Sequence, residues 1–205
     1  MQDYDIFAAP VTYGILVLNL IISGYAFFVD DRVVPRFALT VGPILRAREY
    51  DRLVMHGFLH VDPLHFLANM ITLFFFGRFV EVAVLGSMGF LCLYMGALLI
   101  AAAVSVWVKR GNLLYSAIGA SGAVSGVLFA FCLVAPFQEI YIFPIPFGIP
   151  AIIYAGLYIA YSSFAAAGGV RDRIAHEAHL GGALGGLALT IMLEPRALAV
   201  FLSNF

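Results

Sequence analysis

Charge is what this sequence has least of. Asp, Glu, Lys and Arg make up 11% of its 205 residues, where a soluble domain carries roughly 25%. The remaining surface could not keep 63% hydrophobic residues in water, so a soluble enzyme is excluded. The formal net charge of −1 offers no basic surface, and no nucleic-acid partner is suggested. Cysteine is almost missing. Cys92 and Cys132 both fall inside apolar runs and read as packing residues, not as a disulfide. Long repeats and low-complexity tracts are absent, and no stretch is long and polar enough for a separate soluble domain. The N-terminus, Met1-Gln2-Asp3-Tyr4-Asp5, is acidic and lacks the basic start of a signal peptide, so the first apolar run is expected to be retained.

What remains is apolar, with a mean hydropathy of +1.00. A spanning helix takes about 20 apolar residues, so the chain has room for about six spans and short loops. The expected fold is one all-α, integral-membrane domain over 1–205, a polytopic six-helix bundle. Its spans are expected at about 10–29, 63–81, 86–108, 119–136, 149–167 and 175–193. Asp62-Pro63 supplies an N-cap and a first helical residue, and Trp107 sits where an interfacial aromatic belongs. Residues 30–62 set Arg32, Arg36, Arg46, Arg48 and Arg52 beside Phe37, Leu39, Ile44 and Leu45. That mixture predicts a partly helical segment in the membrane interface. Lys109-Arg110-Gly111-Asn112 reads as a turn. Residues 137–148, with Pro144 and Pro146, read as an irregular connector, and 168–173 as a mobile loop.

Polar groups inside spans are costly and are functional candidates by default, against the alternative that they are packing glue between helices. Ser121 stands in Gly119-Ala120-Ser121-Gly122 at the start of an apolar run. Backbone N–H groups in the first turn have no intrahelical partner, and with the positive helix end they can hold a developing oxyanion. His179 is followed by Gly182 and Gly186 on or near its own helix face. Gly182-x-x-x-Gly186 and Gly122-x-x-x-Gly126 are both close-packing faces. Two such faces in contact would bring Ser121 within hydrogen-bond reach of His179, and a neutral imidazole there can take the Ser proton. His65 and Asn69, four apart, share a helix face and can both donate hydrogen bonds, whereas His60 belongs to the preceding loop. His176-Glu177-Ala178-His179 invites a metal reading, but its histidines are one residue too close for the zinc-protease helix. A zinc site from His60, His65, His176 and His179 fits by ligand type and leaves Ser121 and its glycines unexplained.

Taken together these motifs resemble the rhomboid family of intramembrane serine proteases. His60, His65 and Asn69 match a His-x4-His-x3-Asn stretch. Gly119, Ser121 and Gly122 match Gly-x-Ser-Gly. Ala178, His179, Gly182 and Gly186 match Ala-His-x2-Gly-x3-Gly. The resemblance covers nearly the whole chain, including Gly77-Arg78-Phe79-Val80-Glu81. It implies Ser121 as nucleophile and His179 as general base, without a carboxylate. It implies an oxyanion hole from His65, Asn69 and the backbone at Ser121, with Gly119 and Ala120 in the substrate-stabilising loop. It also implies a cap over the site at about 168–176, a lateral element in the first loop, and no metal or organic cofactor. The partners implied are transmembrane protein substrates in a lipid bilayer, and the expected location is the bacterial inner membrane. Where many members carry an aromatic residue stacked on the catalytic His, four after the nucleophile, this chain has Ser125. The competing class is a non-enzymatic transporter or a haem- or metal-binding membrane protein using the same histidines; a third is a protease-like fold that only binds membrane clients. Orientation is read two ways. Nine Lys or Arg lie on the Ser121 side against two on the other, which by charge bias puts that side in the cytoplasm. The resemblance puts both termini there instead, and is followed.

Overall fold

The computed structural model describes residues 8–142, 145–170 and 174–205. The acidic N-terminal stretch, Pro144, Arg171 and Arg173 lie outside them, as does the middle of the expected cap.

The described chain is mostly helical. Helix α1 (Pro10–Phe28) opens on a proline, whose fixed φ suits a first helical position. The segment expected in the membrane interface folds into three short helices, α2 (Val33–Phe37), α3 (Val41–Ala47) and α4 (Arg52–Met55). Its arginines hold it together. Buried Arg52 donates to the Pro35 and Ala38 carbonyls at 2.9 Å and pairs with Glu49 at 2.7 Å, while Arg36 pairs with Asp51 at 2.8 Å.

A helical stretch of 47 residues follows, Pro63–Lys109. It begins as α5 (Pro63–Thr72), capped by the Asp62 carboxylate on the Leu64 N–H. It passes through a π turn, α6 (Arg78–Val80) and a second π turn, and ends as α7 (Gly86–Lys109). It is not one rod. Gly86 has φ +66°, open to glycine at little cost. A Cβ on Gly77 would lie 3.3 Å from the Phe90 ring, although these residues would be roughly 20 Å apart along a straight helix. The chain therefore doubles back at Gly86.

Helix α8 (Ser121–Val134) has only 14 residues. The run expected from 119 starts at Ser121 because Gly119 holds φ +124°, outside the helical region. It stops at Val134, since a residue before proline, here Ala135, avoids helical geometry. The connector after it is less irregular than expected: β3 (Glu139–Ile140) pairs antiparallel with β4 (Ile149–Pro150). Helix α9 (Ala151–Phe164) runs into a π turn at Ala165–Gly169. Helix α10 (His176–Leu193) and α11 (Arg196–Leu202) meet at a bend of 108°.

By length and composition, Pro10–Phe28, Pro63–Lys109 and Ala151–Gly169 can cross a membrane, and α10 with α11 if that bent pair is one span. The core forms where α7, α8 and α10 meet through small residues. A Cβ on Gly182 would fall 2.0 Å from the Gly122 carbonyl oxygen, and one on Gly186 would fall 2.2 Å from Gly126 Cα. On the other side of α8, Gly122 and Gly126 abut Ala101 and Ala97 of α7. Gly181 and Gly185, which the sequence reading passed over, receive Val104 and Ile100 of α7. The glycine doublets of α10 thus serve two neighbours at once.

One buried carboxylate ties the far end. Glu81 accepts from the N–H groups of Val11 and Thr12 at 3.0 and 2.7 Å, and from the Thr12 and Ser87 hydroxyls at 2.7 Å. It caps the first turn of α1 and holds it to the Gly86 reversal. Glu81→Ala would strand four donors. It is expected to cost about 3 kcal/mol or more, read as a fall in melting temperature of the purified protein in detergent; an unchanged temperature would contradict this role.

Candidate active site

Residues 110–120, leading into α8, are pinned from the side. Strand β1 (Leu39–Thr40) pairs with β2 (Ser116–Ala117). The Gly42 N–H donates to Leu113 O at 2.9 Å and the Val41 N–H to Tyr115 O at 3.1 Å. The segment between α1 and α5 therefore fixes the approach to Ser121.

Ser121 is the first residue of α8 and His179 the fourth of α10. With the two glycine faces in contact, His179 Nε2 lies 2.7 Å from Ser121 Oγ. Both residues are half-buried. An unprotonated Nε2 at that distance can accept the hydroxyl proton. The N–H groups of Ser121, Gly122 and Ala123 open the helix and point, by helix geometry, out of its first turn.

His65 and Asn69 project from α5 toward the same place. A Cβ on Gly119 would meet His65 Cε1 at 2.6 Å, so the ring sits directly over the Gly119-Ala120 loop. Only glycine suits this position on two counts, the close ring and the positive φ. Asn69 Nδ2 donates to His60 Nε2 at 3.1 Å. The same nitrogen receives the Ala120 N–H at 3.4 Å, and the Gly119 N–H donates to the His56 carbonyl at 3.0 Å. Gly119 and Ala120 therefore spend their N–H groups on holding the loop. Among the described residues, the N–H groups of this turn that take no partner begin at Ser121.

His60, read from sequence as a loop residue, is the hub of this arrangement. It is fully buried. Since Nε2 accepts twice, the proton is on Nδ1, which donates to Ser23 Oγ at 3.0 Å, and Ser23 in turn donates to Phe58 O at 3.0 Å. Burial first, and the neighbouring His65 second, push the His60 imidazole down to about 3. It stays neutral at ordinary pH, as two accepted bonds at one nitrogen require. The sequence signal was available in the His60–Asn69 spacing, but the partners on α1 and at Ala120 are long-range contacts.

Glu177 explains the acidic residue that invited a metal reading. Its carboxylate is buried and accepts from Tyr115 Oη and from Ser105 Oγ, the latter at 3.2 Å, with Lys109 Nζ at 3.7 Å. Lys109 also sits 5.4 Å from the Tyr115 ring centre. Burial, and then the Glu177 carboxylate, raise the Tyr115 phenol above its ordinary range. The node fastens the start of α10 to the end of α7, next to His179. His176 packs edge-on against Tyr161, ring centres 5.4 Å apart, and against His179 at 6.2 Å. Among the described residues no three His, Cys, Asp or Glu side chains are grouped to hold a metal, so the zinc set of His60, His65, His176 and His179 is not assembled.

Apolar helices and a core knit by glycines mark a helical integral membrane protein, and the fold brings a serine and a histidine together at two of its helix N-termini. Residues 47–196 match the family model described as Rhomboid domain. The chain belongs to the rhomboid family. It is 31% identical over 136 residues to "Rhomboid protein 1, mitochondrial" of Saccharomyces cerevisiae, covering 64% of this chain and 38% of that protein. It is also 31% identical over 146 residues to "Presenilin-associated rhomboid-like protein A, mitochondrial" of Danio rerio, covering 66% of this chain and 35% of that protein. The match thus spans little more than a third of each relative's length. Both are named as mitochondrial, and neither supports the bacterial inner membrane expected from the sequence.

Proposed function

We propose that this chain is an intramembrane serine endopeptidase, cutting peptide bonds in or near transmembrane segments of other membrane proteins. The observation that carries the reading is the 2.7 Å contact between His179 Nε2 and Ser121 Oγ at the start of α8, in a chain of the rhomboid family. Ser121 Oγ attacks the substrate carbonyl carbon while His179 Nε2 takes its proton. The oxyanion gathers the Ser121 N–H and the side chains of His65 and Asn69. The carbon–nitrogen bond then breaks, His179 returns the proton to the leaving amine, and water activated by His179 hydrolyses the acyl-enzyme. Loss of one strong oxyanion donor costs up to about 10²-fold. Asn69→Ala and His65→Ala are therefore expected to slow cleavage by up to that factor. Unchanged rates in both would remove them from the oxyanion hole.

The six-span reading supports this chemistry. It divides Pro63–Lys109 at Gly86 and counts α8 and α10 as spans. The 14 residues of α8 reach only about 21 Å, short of a hydrocarbon core of about 30 Å. Ser121 then lies below the membrane surface yet above its midplane. The orientation with both termini cytoplasmic draws support from Arg32, Arg36 and Arg52, whose ion pairs give them a structural purpose apart from charge bias.

A peptide bond in a membrane helix is shielded, and unwinding it in lipid strands backbone groups at several kcal/mol each. Substrates are therefore expected to carry a small residue before the scissile bond and Gly, Pro or polar residues just inside the span. The test is a panel of single-span proteins, reconstituted with the purified enzyme, that differ only at those positions. The Gly-Pro or Gly-Ala spans should be cut and an all-Leu span spared. Equal cleavage of both would overturn this account of specificity, and no cleavage of any would overturn the protease reading.

A further inference from the structure

Ser125 lies one turn after Ser121, and its hydroxyl is not idle. Ser125 Oγ donates to the Ser121 carbonyl at 2.7 Å, one turn back in the same helix. It also meets Tyr158 Oη at 2.6 Å. With the Ser125 proton committed to the carbonyl, Tyr158 is the donor in the second bond. Tyr158 belongs to α9, a different helix. Its ring lies nearly parallel to the His179 imidazole, at an interplanar angle of 23° and 6.4 Å between centres, within the range of offset stacking. Phe129 of α8 meets the Tyr158 ring edge-on at 5.4 Å, and Tyr154 lies 5.8 Å away. A ring held at its hydroxyl, its edge and its face has little freedom.

We propose that Tyr158 is a positioning residue for His179, and that Ser125 is its anchor. This rests on the protease reading above. The pair does two things at once. The phenol ring limits rotation of the imidazole, keeping Nε2 on Ser121 Oγ. The hydroxyl chain from Tyr158 through Ser125 ends on the carbonyl of Ser121 itself, so base and nucleophile are referred to the same side chain. The device spans two helices. Only 17% of the Ala151–Gly169 stretch is buried, so α9 touches the bundle along a narrow edge, and Tyr154, Tyr158 and Ser162 recur along that edge at helical spacing. Seating of α9 and aim of the general base are therefore one event. Stacking on His179 thus does not require an aromatic side chain at the position of Ser125, because α9 supplies one from outside.

The experiment uses the purified full chain in detergent and four variants, Tyr158→Phe, Tyr158→Leu, Tyr158→Ala and Ser125→Ala. Each is checked for its melting temperature. The rate of labelling by a fluorophosphonate probe is then measured, together with kcat and KM for one cleaved transmembrane substrate. Misplacing a catalytic group by about 1 Å can cost 10²-fold. Tyr158→Leu and Tyr158→Ala are expected to lose about that much in kcat and in labelling rate, with KM little changed. Tyr158→Phe and Ser125→Ala each break the one bond between the two hydroxyls and leave a flat ring beside His179, so both should fall between wild type and Tyr158→Leu, by similar factors. Leu as active as Phe, or Phe as poor as Leu, would overturn the proposal, as would a loss that appears only in KM. A wild-type protein that takes up no probe and cuts nothing would instead sink the protease reading beneath it.

Discussion

Ser121→Ala and His179→Ala are each expected to abolish cleavage of a membrane substrate while the protein stays folded. The two side chains form one unit. The hydroxyl is a poor nucleophile at its own pKa, and the imidazole 2.7 Å away is what activates it. Losses in such a unit are not additive, so the double variant should be no worse than either single one. Neither change should disturb the bundle. Ser121 and His179 are half-buried at helix starts, and the packing that holds α8 to α10 is made by the glycines below them. Melting temperatures near wild type, with no product over background, are the expected pattern. Full cleavage by either variant would remove that residue from the chemistry.

The second large effect is on folding. Gly182→Ala would place a methyl group 2.0 Å from the Gly122 carbonyl oxygen, and Gly186→Ala one 2.2 Å from Gly126 Cα. Backbone lies on the other side in both cases, so no side chain can rotate away. The helices must separate, and Ser121 and His179 separate with them. Ordinary overpacking costs 1–3 kcal/mol; with backbone against backbone, about 3 kcal/mol or more is expected, with loss of activity. Gly156→Ala is the control. A Cβ there meets nothing within 4 Å, and the helix should gain up to about 1 kcal/mol. Thermal unfolding in detergent reads both. A Gly182→Ala protein as stable as the Gly156→Ala one would refute the close packing.

Much of the candidate site was legible because its signals are local. Ser121 after Gly119, the glycines below His179, and the turn between His65 and Asn69 are short-range patterns whose spacing alone sets faces and ends. The rest depends on contacts far apart in sequence. Tyr158 lies in an ordinary apolar run, and nothing nearby marks it as the ring beside His179. His60 could be placed before its helix, but not joined to Ser23 and Ala120. Glu177 was conspicuous yet ambiguous, because its partners Ser105, Lys109 and Tyr115 come from another helix and the turn after it. Backbone detail was similarly hidden. Gly119 was expected inside a helix, while its positive φ and the His65 ring against it place it in the loop before.

Covalent capture is the sharpest test of Ser121 as a nucleophile activated by His179. Purified protein in detergent is treated with a fluorophosphonate probe, and the adduct is located by mass spectrometry of peptides. One adduct is expected, on Ser121, absent from Ser121→Ala and strongly reduced in His179→Ala. An adduct on another residue, or labelling of Ser121→Ala at the wild-type level, would contradict it.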